Sequence, residues 1–531
     1  MSIEITVNLS SILTIRLPIS SNVNITVNWG DGSSTQTYTT NYPSRTYTSA
    51  GIYVISVNGS FTTLGNYNNN NSAFKFLTNF TYNIQIPTLT SFYNTFSNIT
   101  KNFTITIANN TITSNITNMS NMFYNSFVGY GSNTFNNPLT NLNTSNVTNM
   151  SYMFYNTPDF NQPLDFDTSK VTDMSYMFYG ARVFNQPLNF NTSNVTNMSN
   201  MFYNSSASNF NQPLNFTDTS KVTNMSYMFN NARSFNQPLN FNTSNVTDMS
   251  HMFLDATVFN QDLSFNTSNV TNMSNMFYGA RAFNKPLNFD TSKVTNMGSM
   301  FRFASGFNQP ISFSDTSKVT AMDQMFVNAF AFNQPLSFNT SSVLYMTYMF
   351  YEARVFNQDL SSWNISSLLN AEIMFINSGL SSSNYNKLLI GWSSQPIIQN
   401  NVQFGAINIK YTTTSAQSAR EILTNTYSWT ITDGGYNPEL YNPAYIDTIS
   451  NGTYHHVALT ISGNIHTLYY DGSAVAISSI DKNLFPSISN LYIGTSANLK
   501  NGYSGSIQDF KVYNRALSSI DISAIYTHPS F

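Results

Sequence analysis

The chain is 531 residues long, enough for three or four domains, yet only 8% of its residues are charged and its formal net charge is -3. Such a surface offers hydrogen bonds rather than an electric field, so charge-driven binding to nucleic acid or an anionic membrane is not expected. Cysteine is absent, which removes disulfides, thiolate metal sites and cysteine nucleophiles, while 15% aromatic residues supply ample core material.

The first residues, Met-Ser-Ile-Glu-Ile-Thr-Val, carry neither a basic region nor a long apolar run, so they do not read as a secretory signal. No apolar run of about 18 residues suggests a membrane span. Residues 1–60 alternate apolar and polar positions: Ile3, Ile5 and Val7, then Val23, Ile25, Val27 and Trp29, then Tyr53, Ile55 and Val57. That period predicts half-buried strands of a β-sandwich. Between the second and third groups, Trp29-Gly-Asp-Gly-Ser33 predicts a hairpin turn in which glycine takes positive φ. This turn and the later Tyr47-Thr-Ser-Ala-Gly-Ile-Tyr-Val54 resemble PKD-like sandwiches. Asp31 is placed either to ligate calcium or to close an Asx turn, and the turn is the preferred reading.

Residues 61–120 read as a lead-in segment and N-terminal cap, with an Asn-rich loop after Gly65 and a worn copy of the coming repeat at Leu89–Phe96. From 121 to 376 one phrase recurs, as in Phe184-Asn-Gln-Pro-Leu-Asn-Phe-Asn-Thr-Ser-Asn-Val-Thr-Asn-Met-Ser-Asn-Met-Phe202. Its Met-Phe step falls at Met122, Met153, Met177, Met201, Met228, Met252, Met276, Met300, Met325, Met349 and Met374. A fixed period of 24–25 residues predicts stacked coils, each stable only because its neighbours cover it. The expected fold class is mainly β: a leucine-rich-repeat-like β-solenoid of about ten coils, flanked by β-sandwich domains. Equivalent residues should then lie about 4.8 Å apart, giving a rod roughly 50 Å long.

Within each coil the Phe and Leu of Phe-Asn-Gln-Pro-Leu, the Val and Met of Val-Thr-x-Met and the Met-Phe pair should point inward. Their strict phase favours core over a methionine-lined peptide groove. The turn before each Val alternates between Asp-Thr-Ser-Lys, as at Asp167–Lys170 and Asp218–Lys221, and Asn-Thr-Ser-Asn, as at Asn143–Asn146 and Asn191–Asn194. Either residue closes an Asx turn, and the coupled exchange suggests an Asp–Lys pair across it. The Asn after each Phe, from Asn161 to Asn357, should form an amide ladder that satisfies backbone groups at the coil corners. These three motifs closely resemble the BspA-like family of leucine-rich-repeat surface proteins over about 250 residues, with Phe190, Phe241 and Phe289 where that family often has Trp. Trp363 restores it in the last coil.

Residues 377–435 change style. Ser381–Trp392 and Ser415–Thr424 predict helices, Val402–Phe404 and Tyr427–Thr432 predict strands, and the segment resembles the α/β C-terminal cap of the same family. Residues 436–531 return to β patterning in Tyr454–Thr460, Leu468–Gly472, Leu491–Gly494 and Tyr503–Leu517. They resemble the closing half of a laminin-G or concanavalin-A-like sandwich, truncated at its start. The resemblance implies binding of sugars or proteins, with calcium possible in the sandwich domains.

Candidate chemistry is sparse. His455 and His456 alternate across a predicted strand and cannot chelate one metal together, and no triad, paired carboxylates or phosphate loop stands out, so no enzyme and no cofactor are expected. Arg182, Arg233, Arg281 and Arg354 each stand two residues before a coil's Phe, hence on one edge of the stack. They are either scattered solvated arginines or a row for carboxylated glycans or acidic proteins. The dense Asn-x-Ser/Thr sequons read as by-products of the repeat. The expectation is a non-enzymatic surface or adhesion protein, extracellular or on a particle surface. A stiff repeat spacer would display a lectin-like module to glycans or surface proteins of a host or neighbouring cell, as a monomer or a homo-oligomer. The alternative is a virion fibre or minor capsid protein. A glycan hydrolase would need a carboxylate pair that the sequence does not offer.

Overall fold

The computed structural model describes residues 2–437 apart from 66–72, 83–85, 100–102, 109–112, 126–135 and 204–208, and beyond 437 the strands 457–462, 465–470 and 473–479. The chain is mainly β with few helices, and its sheets are open among the described residues.

Eight strands precede the repeats: β1 (Ile3–Leu9), β2 (Leu13–Arg16), β3 (Ile19–Ser20), β4 (Asn24–Asn28), β5 (Gln36–Tyr38), β6 (Ser44–Tyr47), β7 (Gly51–Ser60) and β8 (Thr63–Leu64). The predicted alternation holds. Ile3, Ile5 and Val7 are buried on β1, Ile25 and Val27 on β4, and Ile55 and Val57 on β7. Two further strands, β9 (Leu77–Tyr82) and β10 (Thr104–Ile107), join them in a six-stranded sheet of order β10-β9-β1-β7-β4-β5. β9 is antiparallel to β1, but β10 is parallel to β9, so antiparallel pairing gives way to parallel pairing here. Asn141 Nδ2 donates to the Ile107 carbonyl at 3.0 Å, and Asn137 to that of Phe103. These amides cover the open edge of β10, which would otherwise invite pairing with another chain.

The coils follow without a break. Thr63 of β8 makes a parallel bridge to Ser91, and the chain of bridges continues through Asn118, Asn149, Asp173, Asn197, Asn224, Asp248, Asn272, Asn296, Ala321 and Tyr345 to Asn370. The worn copy at Leu89–Phe96 is therefore a working coil. Between bridges the backbone is turn rather than extended strand, because two positions per coil take positive φ. The residue after Met-Ser does so at Tyr152, Tyr176, Asn200, Tyr227 and His251, and a later position does so at Asn156, Asn231 and Asp255. For non-glycine residues this conformation costs roughly 1–2 kcal/mol each. It is held by hydrogen bonds along the stack: in one coil the N–H groups of Met174, Tyr176, Phe178 and Gly180 all donate to carbonyls of the following coil, while Thr172 N–H donates to the preceding one. Val183 N also donates back, to Pro158 O, but the forward-pointing donors outnumber the others and leave the last coil in need of acceptors.

The predicted core forms, except that Leu214 and Leu263 are only partly buried. Val171, Met174, Met177, Phe178 and Phe184, with their counterparts along the stack, are buried. A uniform spacing of about 4.8 Å does not hold. Tyr155–Tyr179 ring centroids are 4.4 Å apart, Phe154–Phe178 5.6 Å, Phe160–Phe184 6.1 Å and Phe190–Phe216 6.4 Å. Equivalent rings report the displacement between coils at their own position. The coils are therefore fanned, closest on the Tyr side and widest on the side of Phe190.

The predicted cap elements form close to their expected bounds. β11 (Asn370–Ala371), β12 (Gln403–Ala406) and β13 (Thr430–Asp433) make a parallel three-stranded sheet flanked by α1 (Ser382–Ser393) and α2 (Thr414–Glu421). Ser381 and Thr413 cap the two helices, their side chains accepting from Asn384 N and Ala416 N. Gly405 O accepts from Phe375 N at 3.0 Å, supplying an acceptor to the last coil. Residues 1–436 form one compact unit and 437–531 a second. The second contains an antiparallel meander of β14 (Val457–Ser462), β15 (Ile465–Tyr470) and β16 (Ser473–Ser479). The predicted segments Leu491–Gly494 and Tyr503–Leu517, and His455 and His456, lie outside the described residues.

Candidate recognition surfaces

The side chains of each coil sort into those used by the neighbouring coil and those left to solvent. On one corner the amide ladder forms as expected: Asn185 N donates to Asn161 Oδ1, Asn260 N to Asn236 Oδ1 and Asn357 N to Asn333 Oδ1, all at 2.8–2.9 Å. It ends where Ser381 N and Asn384 Nδ2 reach Asn357 Oδ1 at 2.9 and 3.0 Å, so the last rung receives the start of α1. This row is occupied by structure and is not free for a ligand.

The ion pair expected across each Asp-Thr-Ser-Lys turn does not form. Asp167 Oδ1 instead accepts from Ser169 N at 2.9 Å, closing the Asx turn on itself. Hydrogen bonds from Ser169 hold its carboxyl below the usual range, with Lys170 adding a smaller pull. The lysines reach to the preceding coil: Lys170 Nζ donates to Asn146 Oδ1, Lys221 Nζ to Asn194 Oδ1 at 2.6 Å and Lys293 Nζ to Asn269 Oδ1 at 2.6 Å. Where the position is Asn, its amide donates to a backbone carbonyl one coil back, as Asn245 does to Ser220 O at 2.7 Å. A long side chain with three donors finds a better acceptor across the coil gap than in a carboxylate already folded into its own turn.

Asp31 is committed as well. Oδ1 accepts from Ser33 N and Ser33 Oγ at 3.1 and 2.6 Å, and Oδ2 pairs with Arg45 at 2.6 Å. Burial opposes ionisation here, but these bonds outweigh it and hold the pKa below the usual value. Both oxygens serve the turn and its brace, so the residues present do not fit a calcium site. Gly30 and Gly32 take the positive φ expected of them, while the link from β4 to β5 is longer than a tight hairpin turn. Among the described residues no group of three or more His, Cys, Asp or Glu side chains is arranged to hold a metal ion.

The four arginines of the row all sit exposed at equivalent positions. Arg354 is engaged: it pairs with Glu352 at 2.9 Å and lies over the Phe330 ring at 5.2 Å. Arg233 Nε donates to Asn231 Oδ1 at 3.0 Å. Among the described residues no carboxylate lies within ion-pair distance of Arg182, Arg233 or Arg281.

One feature escapes a reading by core pattern alone. On the bridged side Tyr124, Tyr155, Tyr179 and Tyr203 stack at 4.6, 4.4 and 4.4 Å, beside Tyr152–Tyr176 at 4.4 Å and Tyr227–His251 at 4.1 Å. Burial, then the neighbouring tyrosines, pushes Tyr152 up to about 12. The signal was present in the sequence as a Tyr recurring after Met-Phe. Because the rings stack face to face, they present edges and hydroxyls rather than open faces.

Three matches to one family model, described as "Mycoplasma protein of unknown function, DUF285", cover residues 90–211, 205–288 and 287–392. A second model, described as the concanavalin A-like lectin/glucanases superfamily, matches residues 378–523. Its match begins inside the first compact unit, in the segment that builds the cap. Among solved structures, the chain is similar to an S-layer domain-containing protein (residues 221–444) from Clostridium thermocellum ATCC 27405, at 30% identity, with a TM-score of 0.13. That similarity covers 15% of this chain and 42% of the other. No curated protein matches.

Proposed function

We propose, from the premise that this chain belongs to the family of Mycoplasma proteins of unknown function DUF285, that it is a non-enzymatic surface protein in which a stiff stack of coils carries a sugar- or protein-binding module. The observation that carries the reading is the commitment of polar side chains within the stack. Amides, Asx carboxylates and lysines satisfy a neighbouring coil or their own turn, so the repeat is built to hold a shape. Recognition then belongs to the concanavalin A-like segment that the family comparison assigns to 378–523. The finer likenesses, to BspA-like leucine-rich repeats in the coils and to PKD-like sandwiches at the start, fit this use and belong to the same proposal. So do an extracellular location and the absence of enzymatic activity.

A glycan array probed with the whole chain and with a chain ending at Tyr436 tests it. On the array's neutral glycans, binding by the whole chain and its loss on truncation are expected. Equal binding by both, or none by either, overturns the assignment of recognition to the terminal segment. Solution size separates this reading from the particle-coat alternative: a monomer argues for the display role, a large closed oligomer for a fibre.

A further inference from the structure

We propose that Arg182, Arg233 and Arg281 form a periodic site on the edge of the coil stack for a linear glycan bearing one carboxylate per disaccharide. The three side chains are exposed and recur at every second coil, with Thr257 at the same position in the coil between the last two. Two coil steps, of 6.1 and 5.9 Å at the adjacent phenylalanine rings, separate Arg182 from Arg233, and two of 6.2 Å separate Arg233 from Arg281. Two such coil steps set the scale on which carboxylates would have to recur, and a polymer of disaccharides with one carboxylate each spaces its charges on that scale. Nucleic acid, with a charge about every 3.4 Å along a strand, is mismatched to so sparse a row.

The chemistry of the edge agrees. Guanidinium presents a planar fork that takes a carboxylate in two parallel hydrogen bonds. Among the described residues these three have no competing carboxylate, whereas Arg354 is occupied by Glu352. Val258, 43% exposed, lies in the coil between the second and third arginines, and Ala282, also exposed, follows the third, apolar surface for the C–H face of a sugar ring. Each exposed pair is weak alone, and the fixed coil spacing lets three act together.

The test uses the full-length protein at low ionic strength against an unsulfated oligosaccharide that alternates a uronic acid with an N-acetylhexosamine. Its carboxyl-reduced form, single-stranded DNA of equal charge and an acidic peptide serve as comparisons. Binding to the uronic acid probe alone is expected, with about a tenfold loss in the triple variant Arg182→Ser, Arg233→Ser, Arg281→Ser. Serine already occupies this position at Ser305, and a triple Arg→Lys variant, which keeps the charge but removes the fork, should weaken binding less. The charge-matched variant Lys170→Ser, Lys221→Ser, Lys293→Ser should bind as the parent does. No binding by the parent, equal binding of DNA or the acidic peptide, or equal loss in the lysine variant overturns the proposal. Retention of array binding in the arginine variant separates this site from the terminal module.

Discussion

His251 occupies a position filled by Tyr227 in the preceding coil and by Asn275 in the next, with positive φ and its ring stacked on Tyr227 at 4.1 Å. Its Nδ1 is buried without a hydrogen-bond partner. Burial lowers its pKa from the ordinary value, and Asp248 pulls more weakly the other way. A folded pKa below the unfolded one means the stabilising contribution is present above an unfolded pKa of about 6.5 and is lost as pH falls through the folded value. His251→Tyr, which restores the local pattern, should therefore reduce the loss of thermal stability between neutral and mildly acidic pH. A melting temperature with the same pH dependence in both proteins would show that the imidazole is not the sensitive group. The sequence revealed this histidine but not its burial, which depends on the two coils that enclose it.

At the scale of the element, the coil is held less by strand pairing than by stacked side chains that satisfy backbone groups. Asn333 Oδ1 accepts from Asn357 N and Gln358 Nε2, both at 2.8 Å. Asn333→Ala leaves Asn357 N without its acceptor, while Gln358 Nε2 keeps its bond to the residue-333 carbonyl at 3.0 Å, and should cost about 1–3 kcal/mol. Chemical denaturation compared with the parent measures this, and an unchanged midpoint would mean that water replaces the rung. The ladder was legible from the spacing of Asn alone, because one residue type recurring at the coil period must meet itself. The lysine partners were not legible. The sequence places Asp and Lys three apart in one turn, whereas the structure brings each of Lys170, Lys221 and Lys293 to an Asn 24 or 27 residues earlier.

For the first compact unit, the N-terminal sheet is part of the stack rather than a separate bead. β9 and β10 extend its sheet, β8 begins the line of bridges, and one buried cluster runs from Ile3 to Trp429. A chain starting at residue 65 would expose Leu77 and Phe80, now buried at 0% and 2%. It should lose its cooperative melting transition and self-associate, because an uncovered coil end is both apolar and rich in unpaired backbone groups. A sharp transition retained by that truncated chain would contradict a shared core. The cap plays the same part at the other end, where Tyr385 and Arg420 meet the buried carboxylate of Asp433 at 2.8 Å each.

The sequence by itself determined the period, the inward residues, the Asx turns and the cap helices, because each depends on residues close together or on one phrase repeated in phase. The positive-φ turns, the fanning of the coils, the reach of the lysines and the separation of engaged Arg354 from its three neighbours were decided only in the tertiary structure. Those features arise where one coil lies on the next. Which donor meets which acceptor there depends on distances that no single coil contains.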